Sequence, residues 1–180
     1  MKKTILAIAV LVLIIFPGCE NKKGAFIETV KCSHPVEENV KNFEKILEKN
    51  GLSIFQVIDH AQNAKNAEML LEPTTLVVFG NPKMGTALMN CNQSMGMDLP
   101  LRMLFYTDYE GNHWLSYTNP EYYSLKHNIK NKKCLTIINK IGIALHMLAE
   151  EVADNNSAAS DDQNSSDQNS SEHNNSGEKR

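Results

Sequence analysis

Apolar residues recur at the spacing of one helical face in two segments of the chain, at 36–47 and at 134–152. Short runs rich in β-branched and aromatic residues predict five strands, at 25–31, 52–58, 74–79, 101–107 and 113–117. The connections are predicted to contain a small helix near 64–69 and a loop, 83–99, with a short helix at 87–92. The order β-α-β-β-β-β-α predicts a single α+β domain, with a mainly antiparallel sheet and helices packed on one face.

The central predicted strands are apolar on both faces. Leu76 and Val78 alternate with Val77 and Phe79, and the strand at 101–107 repeats the pattern. Two helices cover only one face of such a sheet, and a broad apolar surface left in water is typical of an interface or a binding groove. We therefore expect either a homodimer or a ligand groove roofed by the 83–99 loop.

The first residues have the organisation of a bacterial lipoprotein signal peptide. Lys2 and Lys3 precede an apolar stretch at 5–16, which is too short to span a bilayer. Cys19 follows where a lipoprotein carries its diacylglyceryl and palmitate chains, although an ordinary secretory signal peptide is an alternative. The pattern predicts a signal peptide at 1–18, a lipidated tether at 19–25 and a membrane lipid anchor facing the periplasm. Glu20 after the cysteine favours the outer membrane.

The last residues, 154–180, contain no Val, Ile, Leu, Met, Phe, Trp, Tyr or Cys. Such a stretch buries too little apolar surface to offset the entropy of ordering, so it predicts a disordered polar tail and leaves 26–153 as the domain. The formal net charge is −3, and the lysines clustered at 126–133 are typical of a solvated approach to a helix. The charge distribution therefore gives no footprint for nucleic acid.

Several blocks of sequence resemble one family, called domain of unknown function 302. They are IDHA at 58–61, EPTTLVVFGNP at 72–82, GTALM at 85–89, DLPLR at 98–102 and GNHWLSY at 111–117. The resemblance covers about 26–152 and is most specific at the FGNP block. It implies a β-α-β4-α fold, in agreement with the predicted order, and it brings no established activity, cofactor or catalytic residue.

Candidate ligand-binding residues follow two of the predicted strand ends. Asn81 ends a strand, and the loop after it can offer backbone amides to an anion or a carboxylate, although these residues can equally serve only to form the turn. This group consists of Asn81, Lys83, Gly85 and Thr86. Asp98 and Arg102 can form an ion pair or present a guanidinium to a ligand.

His60 follows Asp59 and is a candidate general base, yet no nucleophile with a plausible partner accompanies it. We therefore assign no catalytic residue. His60 joins the ligand-binding candidates.

Sulfur-containing residues are concentrated after the third strand. The soft ligands that would suit Cu(I) are Met84, Met89, Cys91, Met95 and Met97. Methionines at this spacing can equally fill a core, so no metal and no cofactor are assigned. With Cys19 lipidated, the three remaining cysteines permit one disulfide and one free thiol in any pairing.

The leading function hypothesis is an envelope lipoprotein whose domain is a non-catalytic binding module for a small ligand or a partner. A periplasmic copper-binding protein that uses the Met-rich loop is the second hypothesis. An enzyme of unknown reaction is the third.

Overall fold

The computed structural model describes residues 26–162, with the backbone alone for 154–162. Its strands are β1 (Ile27–Cys32), β2 (Ser53–Asp59), β3 (Thr74–Gly80), β4 (Leu101–Thr107) and β5 (His113–Thr118). Its α-helices are α1 (Val36–Lys49), α2 (His60–Asn66), α3 (Pro82–Cys91), α4 (Glu121–Lys126) and α5 (Lys132–Asp162), and a 3-10 helix spans Gln93–Met97. The predicted signal peptide, Cys19 and its tether lie outside the described residues.

The five strands form one antiparallel sheet in the order β1-β5-β4-β3-β2. Val77 of β3 lies opposite Met103 of β4, which lies opposite Tyr117 of β5. The α+β class, the strand order along the chain and the antiparallel sheet are confirmed.

The long helices α1 and α5 cover one face of this sheet. Side chains alternate along each strand, so one set points toward the helices. That set is buried and comprises Val77, Phe79, Met103, Phe105, Leu115 and Tyr117. Phe43 of α1 lies at its centre, with its ring 5.0 Å from that of Phe79 and 5.4 Å from that of Phe105. The helices therefore pack on one face, as predicted.

The 83–99 segment differs from its prediction as a loop. α3 starts at Pro82, a residue whose fixed φ suits the first turn of a helix, and the 3-10 helix follows it. Leu88 and Met95 from this segment are fully buried in the core, and α3 contacts α5. Because the segment belongs to the helical layer, it does not roof the opposite sheet face, where Leu76 and Leu104 are half-buried. The prediction of a groove roofed by 83–99 on that face is therefore wrong. The homodimer stays a prediction.

The remaining differences concern the ends of two helices and one helix that was not predicted. α2 starts at His60 rather than near residue 64, because the Asp59 carboxylate accepts a hydrogen bond from the Gln62 amide at 2.8 Å and caps it. α4 was not predicted. The backbone of α5 continues past the predicted domain end at 153 to Asp162, since extending an established helix costs far less than starting one. None of the described helices is long and apolar enough to cross a membrane.

Candidate functional site

An apolar cavity of about 320 Å³ lies between α3, α5 and one end of the sheet. Its apolar walls are Leu52, Phe55, Phe79, Pro82, Met84, Met89, Leu99, Pro100, Leu101, Ile141, Ala144, Leu145 and Leu148, and its other lining residues are Gly80, Asn81, Gly85, Thr86 and Gly96. No charged side chain is among them. The cavity therefore suits a ligand whose body is uncharged and apolar.

Asn81 fixes the start of α3 at the edge of this cavity. Its side-chain oxygen accepts hydrogen bonds from the Lys83 amide at 2.9 Å and the Met84 amide at 3.4 Å, and its carbonyl accepts one from the Gly85 amide at 3.0 Å. These amides are already paired, so they do not offer the anion site considered from the sequence. Asn81 therefore caps α3 and lines the cavity.

The other residues of the predicted loop site divide between cavity and solvent. Gly85 and Thr86 line the cavity with Asn81, whereas Lys83 is exposed on the first turn of α3 and does not line it. The prediction thus located one wall. It missed the facing wall, formed by Ile141, Ala144, Leu145 and Leu148 of α5, although their spacing was already visible as one helical face.

The candidate copper ligands occupy unlike surroundings. Met84 and Met89 line the cavity, Met95 is fully buried in the core and Met97 is 75% exposed. Cys91 forms a disulfide with Cys134, so its sulfur is not available as a thiolate. The five residues therefore do not form the soft-ligand cluster that the second hypothesis requires, and in the described part of the chain no group of three or more His, Cys, Asp or Glu side chains could hold a metal ion.

Asp98 is the centre of a charged cluster behind the cavity wall. Its buried carboxylate accepts hydrogen bonds from Lys126 Nζ at 2.9 Å and from His127 Nε2 at 2.5 Å, while Arg102 Nη2 lies 3.9 Å away. Burial alone would raise the pKa of Asp98, but the hydrogen bonds from Lys126 and His127 outweigh burial and hold this pKa below its ordinary value. The carboxylate is therefore ionised at neutral pH.

The same cluster extends to Ser94 of the 3-10 helix, whose Oγ lies 2.6 Å from His127 Nδ1. The ionised Asp98 can only accept, so Nε2 carries the proton of its bond, and in the neutral ring Nδ1 accepts from the Ser94 hydroxyl. Asn92 adds a bond from its side-chain amide to the His127 carbonyl at 2.8 Å. The cluster thus joins the 3-10 helix to α4.

Sequence reasoning placed Asp98 and Arg102 together but missed the closer partners of Asp98. Lys126 and His127 lie almost thirty residues downstream, on and just after the unpredicted helix α4. Lys126 had been attributed to a solvated lysine cluster. The available signal in the sequence was the adjacent pair Lys126 and His127, which could have been considered as partners for the acidic Asp98 before β4.

His60 lies far from both features. It starts α2 after β2, whose last residue Asp59 pairs with Thr75, whereas Asn81 follows Gly80, which pairs with Ser53 at the opposite end of that strand pair. Asp59 caps α2 through the Gln62 amide. The predicted site residues therefore fall into four places: the cavity, the exposed first turn of α3 with Lys83, the Asp98 cluster and the far end of the sheet.

The fold is that of a single-domain α+β protein with an apolar cavity between α3, α5 and one end of its sheet. The chain belongs to the family described as domain of unknown function DUF302, whose model matches residues 28–152. A crystal structure of an uncharacterized conserved DUF302 protein from Bacillus stearothermophilus superposes with a TM-score of 0.64 at 18% identity. The superposition covers 71% of this chain and 98% of that one, and at this identity it shows the fold alone.

Two curated relatives match a shorter stretch. The fluoride-specific ion channels FluC 1 of Brucella suis biovar 1 (strain 1330) and FluC 2 of Brucella melitensis biotype 1 (strain 16M) are each 36% identical over 101 residues. The match covers 56% of this chain but only 40% and 37% of those proteins. Their names describe whole proteins of which this chain resembles a part.

Proposed function

We propose that this protein binds a small, predominantly apolar ligand in the cavity between α3 and α5, on a domain that a lipid on Cys19 holds at the bacterial envelope membrane. The observation that carries the proposal is the lining of the cavity, which contains no charged side chain and is walled by helices on two sides. Its volume of about 320 Å³ falls within the range of roughly 300–1,000 Å³ that is usual for small-molecule sites.

The walls of the cavity support binding rather than simple core packing. Met84 and Met89 are flexible, polarisable side chains that adapt to the shape of a guest. Ala144 is a small residue on the α5 wall, which leaves room where a larger side chain would close the space. A ligand gains affinity here from burial of its apolar surface.

The location of the domain is supported by its ends and by its cysteines. The basic residues and apolar stretch before Cys19 match a lipoprotein signal, and two or three acyl chains give a firm anchor. The Cys91–Cys134 disulfide fits an oxidising compartment such as the periplasm. Glu20 favours sorting to the outer membrane.

Fluoride transport is not part of this proposal. The relatives that carry that name match this chain over at most 40% of their length. The matched portion accounts for a domain of this kind within those proteins, not for the whole activity.

Substitution in the cavity tests the binding proposal. In the chain from 19 to 180 with Cys19→Ser, the neutral dye N-phenyl-1-naphthylamine should bind with enhanced fluorescence. Ala144→Phe should weaken this binding at least tenfold, because the new ring occupies the cavity. Ile143→Phe, next to it on α5 at a site that is 55% exposed and does not line the cavity, should change affinity by less than twofold. Equal binding by the two variants, or none by the parent chain, would contradict the proposal.

Metabolic labelling with palmitate tests the anchor. Cys19→Ala should abolish incorporation and release the protein from the membrane fraction. Cys32→Ala is the matched control, because Cys32 is a buried free thiol and should leave the label unchanged. Undiminished label in the Cys19 variant would end the lipoprotein assignment.

A second candidate function, an acyl-transfer or hydrolytic enzyme, is favoured by the array of Ser94, His127 and Asp98. The distances of 2.6 and 2.5 Å fit a nucleophile, a general base and an orienting carboxylate. In such a reaction the Ser94 oxygen attacks an ester carbonyl, His127 Nδ1 takes the hydroxyl proton and returns it to the departing alcohol, and water then releases the acyl group. This array replaces His60 as the basis of the enzyme hypothesis, although neither Ser94 nor His127 lines the cavity.

Labelling with a fluorophosphonate probe separates the two candidates. A nucleophilic Ser94 predicts stoichiometric labelling that Ser94→Ala and His127→Gln abolish and that Ser53→Ala, at an exposed serine of β2, retains. Failure of the parent chain to react would remove the enzyme candidate and leave the binding module.

A further inference from the structure

We infer that the ligand of the cavity is a single unbranched acyl chain of a membrane amphiphile, with its headgroup held outside the cavity near Lys83. This inference rests on the proposed binding function and names its ligand class. It is carried by the position of the cavity relative to the point where the chain enters the domain, and by the chemistry along the cavity.

The cavity lies at the end of the sheet where the chain enters. Antiparallel pairing places the start of β1, the end of β3 and the start of β2 at one edge, with Ile27 opposite Thr118, Phe79 opposite Leu101 and Ser53 opposite Gly80. The cavity is lined at this edge by Leu52, Gly80, Asn81, Pro100 and Leu101. The segment that leads to Cys19 therefore leaves the domain at the cavity end.

The tether is short on the scale of the domain. Residues 20–26 extend at most about 25 Å from Cys19, at roughly 3.3–3.6 Å per residue. Five strands are about 19 Å wide at ~4.8 Å spacing, so an anchor on Cys19 keeps the whole cavity end near the lipid surface. Acyl chains are the most abundant apolar molecules there.

The polar side chains of the lining, Asn81 and Thr86, both belong to the first part of α3 and its cap. Leu145, Leu148 and Phe79 line the apolar part, while Asn81 and Thr86 are its polar members near the start of α3. Lys83 is exposed on that same first turn, outside the cavity. An anionic headgroup can therefore stay in water beside a lysine while its chain is buried.

Another apolar surface does not compete for this role. Met69, Leu70 and Leu71 are strongly exposed, but they follow α2 at the sheet end where β2 finishes, away from the tether. That surface lies at the opposite end of the sheet from the start of β1, where the tether joins the domain. The cavity, by contrast, lies at the tether end of the sheet.

Competition for the bound dye tests the ligand class. With the chain from 19 to 180 carrying Cys19→Ser, octanoate, decanoate and dodecanoate should displace N-phenyl-1-naphthylamine. Affinity should rise about fourfold per added CH2, the equivalent of ~0.8 kcal/mol, until the cavity is filled. Lys83→Ala should weaken dodecanoate binding several-fold and leave dye binding unchanged. Ala144→Phe should weaken both.

The outcomes separate the two levels of the proposal. No dye binding at all means that the binding function has failed. Dye that binds but yields to rigid 1-adamantanecarboxylate better than to dodecanoate overturns the acyl-chain inference and leaves an apolar binding site. A chain-length series without any increase in affinity overturns it as well.

The source of the chain is distinguished by comparing two forms of the protein in lipid vesicles. A photoreactive dodecanoate should crosslink to cavity residues in the Cys19→Ser chain. Equal crosslinking of the lipidated protein identifies a free membrane amphiphile, whereas protection of the lipidated protein identifies its own Cys19 acyl chain as the occupant. Crosslinks that avoid the cavity in both forms refute the inference.

Discussion

The segment from α3 to the start of β4 has two unlike sides. One side lines the apolar cavity, where no charged group is present, and the other forms the Asp98 cluster, where four polar side chains bond to one another. In the described part of the chain, no buried side-chain N or O atom lacks a hydrogen-bond partner. The paired charges therefore fix the position of the segment, whereas its other side is apolar and borders the cavity.

The largest effect on stability is expected from the disulfide that anchors the segment carrying both the cavity wall and the Asp98 cluster. The Cys91–Cys134 disulfide joins the end of α3 to the start of α5 across 43 residues. Replacing both cysteines by Ala should lower the free energy of unfolding by about 4 kcal/mol, because the unfolded chain regains the entropy of an open loop. Urea denaturation measures the change.

Reducing agent provides the control for this prediction. It should destabilise the parent protein by a similar amount and have no further effect on the Cys91→Ala/Cys134→Ala variant. An unchanged urea midpoint for the double variant would show that packing alone fixes α3 against α5. The disulfide would then support neither the cavity wall nor the Asp98 cluster.

A smaller loss is expected at the charged side. Asp98→Asn keeps the shape of the side chain but removes the charge that Lys126 and His127 face, so it should cost about 2 kcal/mol at pH 7. The parallel Ala144→Phe change should alter stability much less while weakening dye binding at least tenfold. A larger loss of stability from Ala144→Phe than from Asp98→Asn would show that the cavity side, and not the charged side, fixes the segment.

The Asp98 effect should depend on pH in a defined direction. The folded-state pKa of Asp98 lies below its ordinary value of 3.8, so its contribution is fully present above about pH 4 and is lost as the pH falls through the folded-state pKa. The stability difference between the parent and Asp98→Asn should therefore be constant near neutral pH and shrink in acid. Thermal unfolding from pH 7 to pH 2.5 checks this, and a difference that grew in acid would refute the assigned ion pairing.

The smallest effect on stability is expected from deleting 154–180, which belongs neither to the cavity lining nor to the Asp98 cluster. Deleting 154–180 removes no Val, Ile, Leu, Met, Phe, Trp, Tyr or Cys, so it should change the free energy of unfolding by less than about 0.5 kcal/mol. Dye affinity should also stay the same. A clear loss of either quantity would mean that this segment supports the cavity wall on α5.

Much of the fold could be predicted because its signals are local. The period of apolar residues in α1 and α5, and the turn residues around Gly80 and Gly111, identify elements within short windows of sequence. The misplaced elements were short. α3 and α4 have few turns. The start of α3 depends on the side-chain cap from Asn81, and both helices pack against α5.

Only part of the candidate site could be predicted from the sequence. Asn81, Gly85 and Thr86 were singled out correctly as neighbours, because they follow one another along the chain and a strand end brings them to an edge. The anion-binding role considered for them was not supported, since the Asn81 side chain already pairs with the amides of Lys83 and Met84. Whether an amide is free is a property of the folded loop.

Local sequence patterns were enough to predict the α+β class, the order of the strands along the chain and the core-facing side of the long helices, and they also predict the membrane anchor. Each follows from local pattern or composition, which act through neighbours in the chain. Tertiary structure alone decided which cysteines pair, that Ile141 and Leu145 face α3 across a cavity, and that His127 meets Asp98. These contacts join residues from 29 to more than 50 positions apart, and only packing, through distance and burial, selects them from the many pairs that the same residue types would allow.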